Sequence, residues 1–229
     1  MNKKEIWLEA THLFKSPTRN KSGIGNYTEN IIKGVIDQNG NKNYHFSIVA
    51  NLFITNKKRY IAGIKANDFS YLYTRLIPGK VWNQLLKKKL MPPIGMLHFK
   101  KPSLVINFDF TAVPTTKKTK TITVIHDLAF LRYPEFVETK NLRRLNKFVP
   151  EAIRKSDRIV AISNSTKKEL IELYKVSTNK ICVVDCAVDQ AIYKPTKTTK
   201  NVKVKYGLPN NYFLYFGNIE PRKNIVGNF

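Results

Sequence analysis

The sequence predicts an α/β fold built around a doubly wound parallel sheet. Short apolar runs alternate along most of the chain with segments whose apolar residues recur every three or four positions, which is the pattern of strands alternating with helices. Two of the runs, 104–108 and 121–125, are compact and rich in β-branched residues. Such runs are typical of parallel strands that helices cover on both faces.

The first part of the chain is predicted to form three strands, at 6–10, 45–53 and 69–73. A polar loop follows the first strand, and two closely spaced glycines then lead into a helix. The apolar residues of this helix are Tyr27, Ile31, Ile32, Val35 and Ile36. A short basic amphipathic helix is predicted at 78–90. We expect it either to face solvent or to lie on an anionic membrane surface.

The second part repeats strand and helix in regular order. A long helix is predicted at 137–155 and a strand at 158–162. Thr166 with Glu169 three residues later forms a capping-box pattern, which predicts a helix start. A strand at 180–184 completes a strand–helix–strand–helix–strand series. This series indicates a Rossmann-like sheet.

A linker is predicted to divide the chain near residue 195. The stretch 185–211 contains Pro195, a run of threonine and lysine, and a Gly-Leu-Pro turn, which is typical of a connection between folded units. Residues 1–195 are therefore predicted to form one Rossmann-like domain. Residues 196–229 are predicted to hold the rest of the linker, a strand at 212–216 and a glycine turn, as a short fragment of a second domain too small for its own core.

The chain is strongly basic, because 40 Lys and Arg against 16 Asp and Glu give a formal net charge of +24. Such a surplus attracts polyanions, although spread lysines are also typical of a solvated surface. A non-catalytic basic binding protein is therefore an alternative interpretation. Nucleic-acid binding is disfavoured because no recognition motif occurs and the basic residues do not cluster with aromatic ones.

The sequence predicts a cytoplasmic location. The N-terminal residues lack the features of a signal peptide, and no apolar run approaches the roughly 20 residues that span a bilayer. Peripheral contact with the inner face of the plasma membrane is a further expectation. The two cysteines, Cys182 and Cys186, match neither a zinc site nor a disulfide framework. We therefore predict two buried thiols and no metal.

His126 and Asp127 directly follow the strand predicted at 121–125. Ligands of open α/β sheets bind at the carboxyl ends of the strands. A histidine there can hydrogen-bond a phosphate or a sugar hydroxyl, or act as a general base. The alternative is a His–Asp pair that only fixes its loop by local hydrogen bonds.

Two glycines, Gly23 and Gly25, precede the first predicted helix. They predict a loop that lets a phosphate or a sugar approach a helix start, or else a plain turn with a helix cap. A nicotinamide cofactor is disfavoured, because Thr28 replaces the third glycine of the dinucleotide fingerprint and no acidic residue follows at the expected distance.

The stretch 214–224 predicts an anion site. A short apolar run is followed by Gly217 and by a proline-led helix start that carries Arg222 and Lys223. The free N–H groups and the dipole of a helix start attract anions, and guanidinium geometry suits phosphate.

Together these segments resemble the amino-terminal half of a GT-B glycosyltransferase of family 4, the mannosyltransferase-like group. They occur in the family's order across nearly the whole chain, and the last is the most specific. The matching segments are Gly23-Ile24-Gly25-Asn26-Tyr27-Thr28, His126-Asp127-Leu128-Ala129-Phe130, Ile162-Ser163-Asn164-Ser165-Thr166, Val188-Asp189, and Phe216-Gly217-Asn218-Ile219-Glu220-Pro221-Arg222-Lys223-Asn224.

The resemblance implies transfer of a sugar, with retention, from a nucleotide sugar to a glycan or lipid-linked acceptor in polysaccharide or lipopolysaccharide synthesis. It implies an acceptor-side role for residues 1–195 and no cofactor or metal beyond the nucleotide-sugar donor. The residue roles that it implies are His126 and Asp127 as catalytic, Gly23, Gly25, Arg222 and Lys223 as binding the donor diphosphate, and Asn26, Ser163 and Asn164 as lining the cleft.

The sequence departs from the family pattern in two ways. Asn218 stands where many members have an arginine, which shifts the diphosphate to Arg222 and Lys223. The acidic E-x7-E segment that contacts the donor sugar in the family does not occur. We therefore expect the 229-residue chain alone to be inactive, either as a remnant or as half of a split enzyme whose carboxy-terminal half is separately encoded. Release of nucleoside diphosphate by the purified chain would contradict this expectation.

Overall fold

The computed structural model describes residues 3–15, 23–38, 43–52, 69–74, 77–188, 193–194, 200–217, 223–225 and 227. Its strands are β1 (Lys4–Glu9), β2 (Tyr44–Asn51), β3 (Phe69–Thr74), β4 (Leu104–Asn107), β5 (Lys120–Ile125), β6 (Arg158–Ala161) and β7 (Ile181–Val183). Its α-helices are α1 (Thr11–Lys15), α2 (Gly23–Asp37), α3 (Gly79–Lys87), α4 (Ile94–Leu97), α5 (Ala129–Arg132), α6 (Thr139–Lys155), α7 (Asn164–Tyr174) and α8 (Lys200–Tyr206).

The strands of the described residues form one seven-stranded sheet in the order β3-β2-β1-β4-β5-β6-β7. Every neighbouring pair is parallel, which confirms the predicted doubly wound α/β class. The chain winds outward from β1 in one direction and from β4 in the other. The carboxyl ends of β1 and β4 therefore flank the switch point, where such sheets bind ligands.

Helices cover the sheet on both faces. Alternate residues of each strand point to opposite sides, so the consecutive apolar residues of β1 place apolar side chains on both faces. Ile6 and Leu8 of β1 belong to a core cluster with Ile32 and Ile36 of α2. Trp7, between them, belongs to the opposite cluster, whose other members include Trp82, Leu86, Ile94 and Phe148. A third cluster lies beneath α6 and α7. Burial on both faces explains why consecutive residues of β1, Ile6, Trp7 and Leu8, are all apolar.

The start of α7 differs from the prediction. The cap is Ser163, whose Oγ accepts a hydrogen bond from the Thr166 N–H at 3.1 Å, so the capping box predicted at Thr166 is wrong by three residues. Thr166 is buried in the first turn, and its Oγ1 donates to the His126 carbonyl at 3.1 Å. Both side chains can cap a helix, and the contact with His126 decides between them.

The predicted strand at 212–216 is not formed. These residues have no regular secondary structure, and the side chains of Leu214 and Phe216 are 81% and 97% exposed. An apolar run needs neighbouring strands or a covering layer to become a buried strand, and the seven-stranded sheet does not include it. The prediction of buried thiols is also wrong, because Cys182 and Cys186 are both exposed.

Two predicted loops contain helices. The polar loop after β1 begins with α1, and the linker predicted at 185–211 contains α8. The linker and the boundary near residue 195 otherwise remain predictions. Among the described residues, no helix is long and apolar enough to cross a membrane.

Candidate functional site

The candidate site lies where the carboxyl ends of β1, β4 and β5 meet. Glu9 is the last residue of β1, Asp109 follows β4 by two positions, and His126 directly follows β5. Because all three strands run in the same direction, their ends share one edge of the sheet. The topology thus gathers groups that are far apart in the chain.

His126 is buried, with 6% of its surface exposed. Its Nε2 lies 2.9 Å from the Phe108 carbonyl, and since a carbonyl can only accept, Nε2 carries the hydrogen. The rings of Tyr27 and Phe110 pack edge-on against the imidazole at 5.3 and 5.6 Å. Burial lowers the pKa of His126, and the Phe108 carbonyl, Asp109 and Asp127 partly offset this effect. The imidazole is therefore neutral near pH 7, with Nδ1 as a hydrogen-bond acceptor.

Asp127 is adjacent in sequence but has a different environment. Its side chain is exposed, and Oδ1 accepts a hydrogen bond from the Ala129 N–H at 3.1 Å, at the start of α5. This is a local turn contact of the kind that the alternative interpretation expects for the pair. The structure therefore gives His126 and Asp127 separate surroundings.

The glycine segment begins α2 rather than forming the predicted loop. Gly23 is the first residue of this helix and Gly25 is buried in its first turn, whereas Asn26 is exposed. Thr28 Oγ1 lies 3.0 Å from His12 Nε2, which joins α2 to α1. The loop prediction is wrong. The helix start nevertheless lies beside the carboxyl edge, where its dipole favours an anion.

Tyr27 connects the start of α2 to His126. Its ring packs on the imidazole, and burial, with a smaller contribution from Cys186, raises the pKa of Tyr27 to about 12. The phenol is therefore neutral at physiological pH. The sequence predicts Tyr27 only as part of the apolar side of its helix, and the structure adds its contact with His126.

The predicted cleft residues at α7 have structural surroundings of their own. Ser163 Oγ caps the helix through the Thr166 N–H, and Asn164 is exposed at the first helical position. Thr166 joins this helix start to the His126 carbonyl. The structure thus gathers the starts of α2 and α7 around His126.

Of the two cations predicted to bind the donor diphosphate, the structure describes only Lys223. Arg222 lies outside the described residues. Lys223 Nζ lies 6.0 Å from the centroid of the Tyr215 ring, a cation–π contact within its own segment. Their role therefore remains a prediction.

A pocket of about 260 Å³ opens at the switch point between β1 and β4. We call it the inner pocket. The Arg144 guanidinium donates to Asp109 Oδ2 in its wall, and also to Thr111 Oγ1 at 3.4 Å. Asp109 Oδ1 accepts from the Phe110 N–H at 2.8 Å, which fixes the carboxylate. Glu9 and Trp82 complete a lining of charged, hydroxyl and aromatic groups, which suits a polyhydroxylated ligand.

The inner pocket was not predicted. Asp109 could have been identified because it directly follows a predicted strand, and Glu9 because it lies near the carboxyl end of another. Arg144 gave no such signal, since it is one of several basic residues on a long helix. In the described residues no group of three or more His, Cys, Asp or Glu side chains is placed to hold a metal ion.

A family model described as Glycosyltransferase Family 4 matches residues 67–191, more than half of the chain. The chain belongs to glycosyltransferase family 4. The matched part of this family 4 chain extends from before β3 to beyond β7 and includes His126, Asp127, Ser163 and Asn164. It does not include Gly23, Gly25, Arg222 or Lys223.

Known proteins similar to this family 4 chain include two from Escherichia coli. O-antigen chain mannosyltransferase B is 29% identical over 111 residues, which are 47% of this chain and 29% of that protein. Serotype-specific mannosyltransferase WbdA is 31% identical over 110 residues, which are 46% of this chain and 14% of that protein. The match therefore spans less than a third of either relative.

One similar solved structure is a glycosyltransferase from Rickettsia africae ESF-5. It is 17% identical, with a TM-score of 0.45, and the match covers 92% of this chain and 51% of that one.

Proposed function

We propose that this chain supplies the acceptor-binding side of a glycosyl transfer in which a nucleotide sugar donates a mannosyl group to a glycan. The observation that carries the proposal is the inner pocket of a family 4 chain, whose wall residue Asp109 lies near enough to His126 to affect its pKa. The names of the two similar E. coli proteins support mannose as the sugar and a surface polysaccharide as the product.

The proposed chemistry is retaining transfer with a nucleoside diphosphate as the leaving group. Negative charge grows on that group as the glycosidic bond breaks, so fixed positive charge acts most strongly in the transition state. The start of α2 beside His126 supports an anion there. Arg222 and Lys223 are proposed to supply the full charges, without a metal.

His126 is proposed to accept a hydrogen bond from a sugar hydroxyl through Nδ1, since Nε2 is engaged with Phe108. We propose that a second domain, in the same or another polypeptide, supplies the opposite wall of the cleft.

The acceptor site can be tested without turnover, because the chain contains only two tryptophans. Trp82 lines the inner pocket, whereas Trp7 is fully buried beneath the helices. We expect a mannose-terminated oligosaccharide to change the fluorescence of the wild type and of Trp7→Phe, and not that of Trp82→Phe. Calorimetry should give the same affinity as the titration of the wild type. Absence of binding by both methods would refute the proposed acceptor site.

We also propose that the chain acts at the cytoplasmic face of a membrane. No acidic residue occurs between Asp68 and Asp109, a stretch that contains seven Lys and Arg residues. Met96 in α4 and Phe99 in the turn after it are exposed, Phe99 to 98%, and Phe99 has a positive φ of 51°. Apolar side chains flanked by cations favour an anionic bilayer surface.

Phe99→Ala should weaken binding to phosphatidylglycerol vesicles by at least about tenfold, because inserting one aromatic side chain contributes roughly 1.5–3 kcal/mol. Wild-type binding should fall as salt is raised, since the lysines are exposed. Phe216→Ala is the matched control, because Phe216 is equally exposed in another segment. Equal binding of the wild type to phosphatidylcholine and phosphatidylglycerol vesicles, or equal losses in the two variants, would contradict this membrane proposal.

A further inference from the structure

A basic groove of about 1020 Å³ lies between α3 and α6. Its cationic side chains are Lys87 of α3 and Lys140, Arg143, Arg144 and Lys147 of α6. Glu138 is the carboxylate that lines it, and the buried ring of Phe148 forms part of its wall. The groove therefore combines a large open volume with a strong excess of positive charge.

The groove cations other than Arg144, which pairs with Asp109, have no ion-paired counter-charge among the described residues. Lys33 pairs with Glu29 at 2.8 Å and Lys155 pairs with Glu151 at 2.9 Å. Lys87, Lys140, Arg143 and Lys147 form no ion pair with any described residue. The spacing of the three from α6 puts them on neighbouring turns of one face, where like charges repel. Bound negative charge would relieve this repulsion.

The basic groove adjoins the inner pocket. Asn83, Arg144 and Phe148 line both, and Arg144 lies at their junction with its guanidinium engaged by Asp109. A sugar in the inner pocket would therefore place its neighbouring substituent in the groove. Guanidinium and ammonium groups are the usual partners of phosphate oxygens.

We infer that the basic groove binds a phosphate or diphosphate group carried by the acceptor, while the inner pocket binds the acceptor's sugar. This inference rests on the proposed function for the position of the sugar. It adds the chemical class of the acceptor, an anionic phosphate ester. It also gives the groove a role separate from that of the nucleotide sugar, whose diphosphate is assigned to the start of α2 and to Arg222 and Lys223.

The first experiment measures calorimetric binding of inorganic pyrophosphate to the full chain. The double variant Arg143→Gln/Lys147→Gln should bind at least about tenfold more weakly than the wild type. The control Lys117→Gln/Lys118→Gln removes the same charge from an exposed turn and should bind within about twofold of the wild type. Circular dichroism should show both variants folded. No binding by the wild type, or equal weakening in the two variants, would overturn the inference.

A second arm distinguishes the source of the phosphate. Phosphatidylcholine vesicles with or without a long-chain prenyl diphosphate are incubated with the wild type and the groove variant. If the wild type binds only the vesicles that contain the prenyl diphosphate, and the groove variant does not bind them, the acceptor is carried by a lipid. Groove-dependent binding of a soluble mannose phosphate without such capture assigns a soluble acceptor. Phosphatidylglycerol vesicles or RNA are also tested as competitors of pyrophosphate. If they compete equally in the groove variant and in the Lys117→Gln/Lys118→Gln control, diffuse positive charge explains the binding and the inference fails.

The two proposals can fail separately. The tryptophan titration with a neutral oligosaccharide tests the inner pocket, whereas pyrophosphate tests the groove. If the groove variant keeps both the saccharide response and pyrophosphate binding, only the proposed phosphate binding by the groove is refuted. A wild type that binds pyrophosphate through the groove and ignores saccharide refutes the proposed acceptor site alone.

Discussion

Replacing Arg144 with glutamine should weaken binding of a mannose-terminated saccharide by roughly thirtyfold. Hydrogen bonds to charged groups contribute about 1.5–3 kcal/mol, and about 1.4 kcal/mol corresponds to tenfold in affinity. Arg144 also holds Asp109 in place, so glutamine would remove one polar group of the inner pocket and release another. The measurement is calorimetric titration of the purified chain.

The adjacent Arg143→Gln is the matched control. Arg143 lines the basic groove and not the inner pocket, so the same substitution one position away should leave binding of a neutral saccharide within about twofold of the wild type. Asp109→Asn should lose affinity like Arg144→Gln, and the double variant should lose less than the sum, because the two residues act as a pair. Equal losses in Arg143→Gln and Arg144→Gln would contradict the assignment of Arg144 to the inner pocket.

Replacing Gly95 with alanine should destabilise the fold by about 2 kcal/mol, within the range of overpacking substitutions. A Cβ at this position would lie 2.5 Å from the Lys100 carbonyl oxygen and 3.3 Å from Pro102 Cδ. The segment cannot shift freely, because the Lys100 N–H donates to Gly95 O at 3.0 Å and the Ser103 N–H donates to Glu5 O at 2.8 Å. The melting temperature should fall by roughly 4–8 °C for a chain of this size.

Gly34→Ala is the control, with an expected effect of opposite sign. Gly34 lies inside α2, and a Cβ there would meet nothing within 4 Å. Alanine should stabilise the helix by about 0.5–1 kcal/mol, because glycine loses more backbone entropy on folding. Thermal unfolding of the two variants side by side makes the comparison. A Gly95→Ala protein as stable as the wild type would show that the turn after α4 is not tightly packed.

The strands could be predicted from the sequence within two residues at each end, because burial on both faces requires short, continuous apolar runs. The helix starts were less predictable. Ser163 and Thr166 are both good caps, and the hydrogen bond from Thr166 to His126 decides which one begins α7. The run at 212–216 has the composition of a strand but no neighbour in the sheet. Apolar composition alone therefore did not determine its structure.

The position of His126 followed from the sequence, because a residue after a buried parallel strand lies at the binding edge. The protonation state of His126 could not be predicted from the sequence. It depends on burial by the rings of Tyr27 and Phe110 and on the hydrogen bond to the Phe108 carbonyl, and these groups come from other parts of the chain. Arg144 is one of several cations on α6, and only the position of Asp109 distinguishes it from Arg143.

The sequence by itself determined the fold class, the family and the edge of the sheet at which the candidate site lies. These depend on local pattern and on strand direction, which the order of residues encodes. The tertiary structure alone decided which side chains meet there: the pairing of Asp109 with Arg144, the contact of Tyr27 with His126, and the joining of the inner pocket to the basic groove. Each depends on how helices from distant parts of the chain pack against one another, and a one-dimensional pattern does not contain that information.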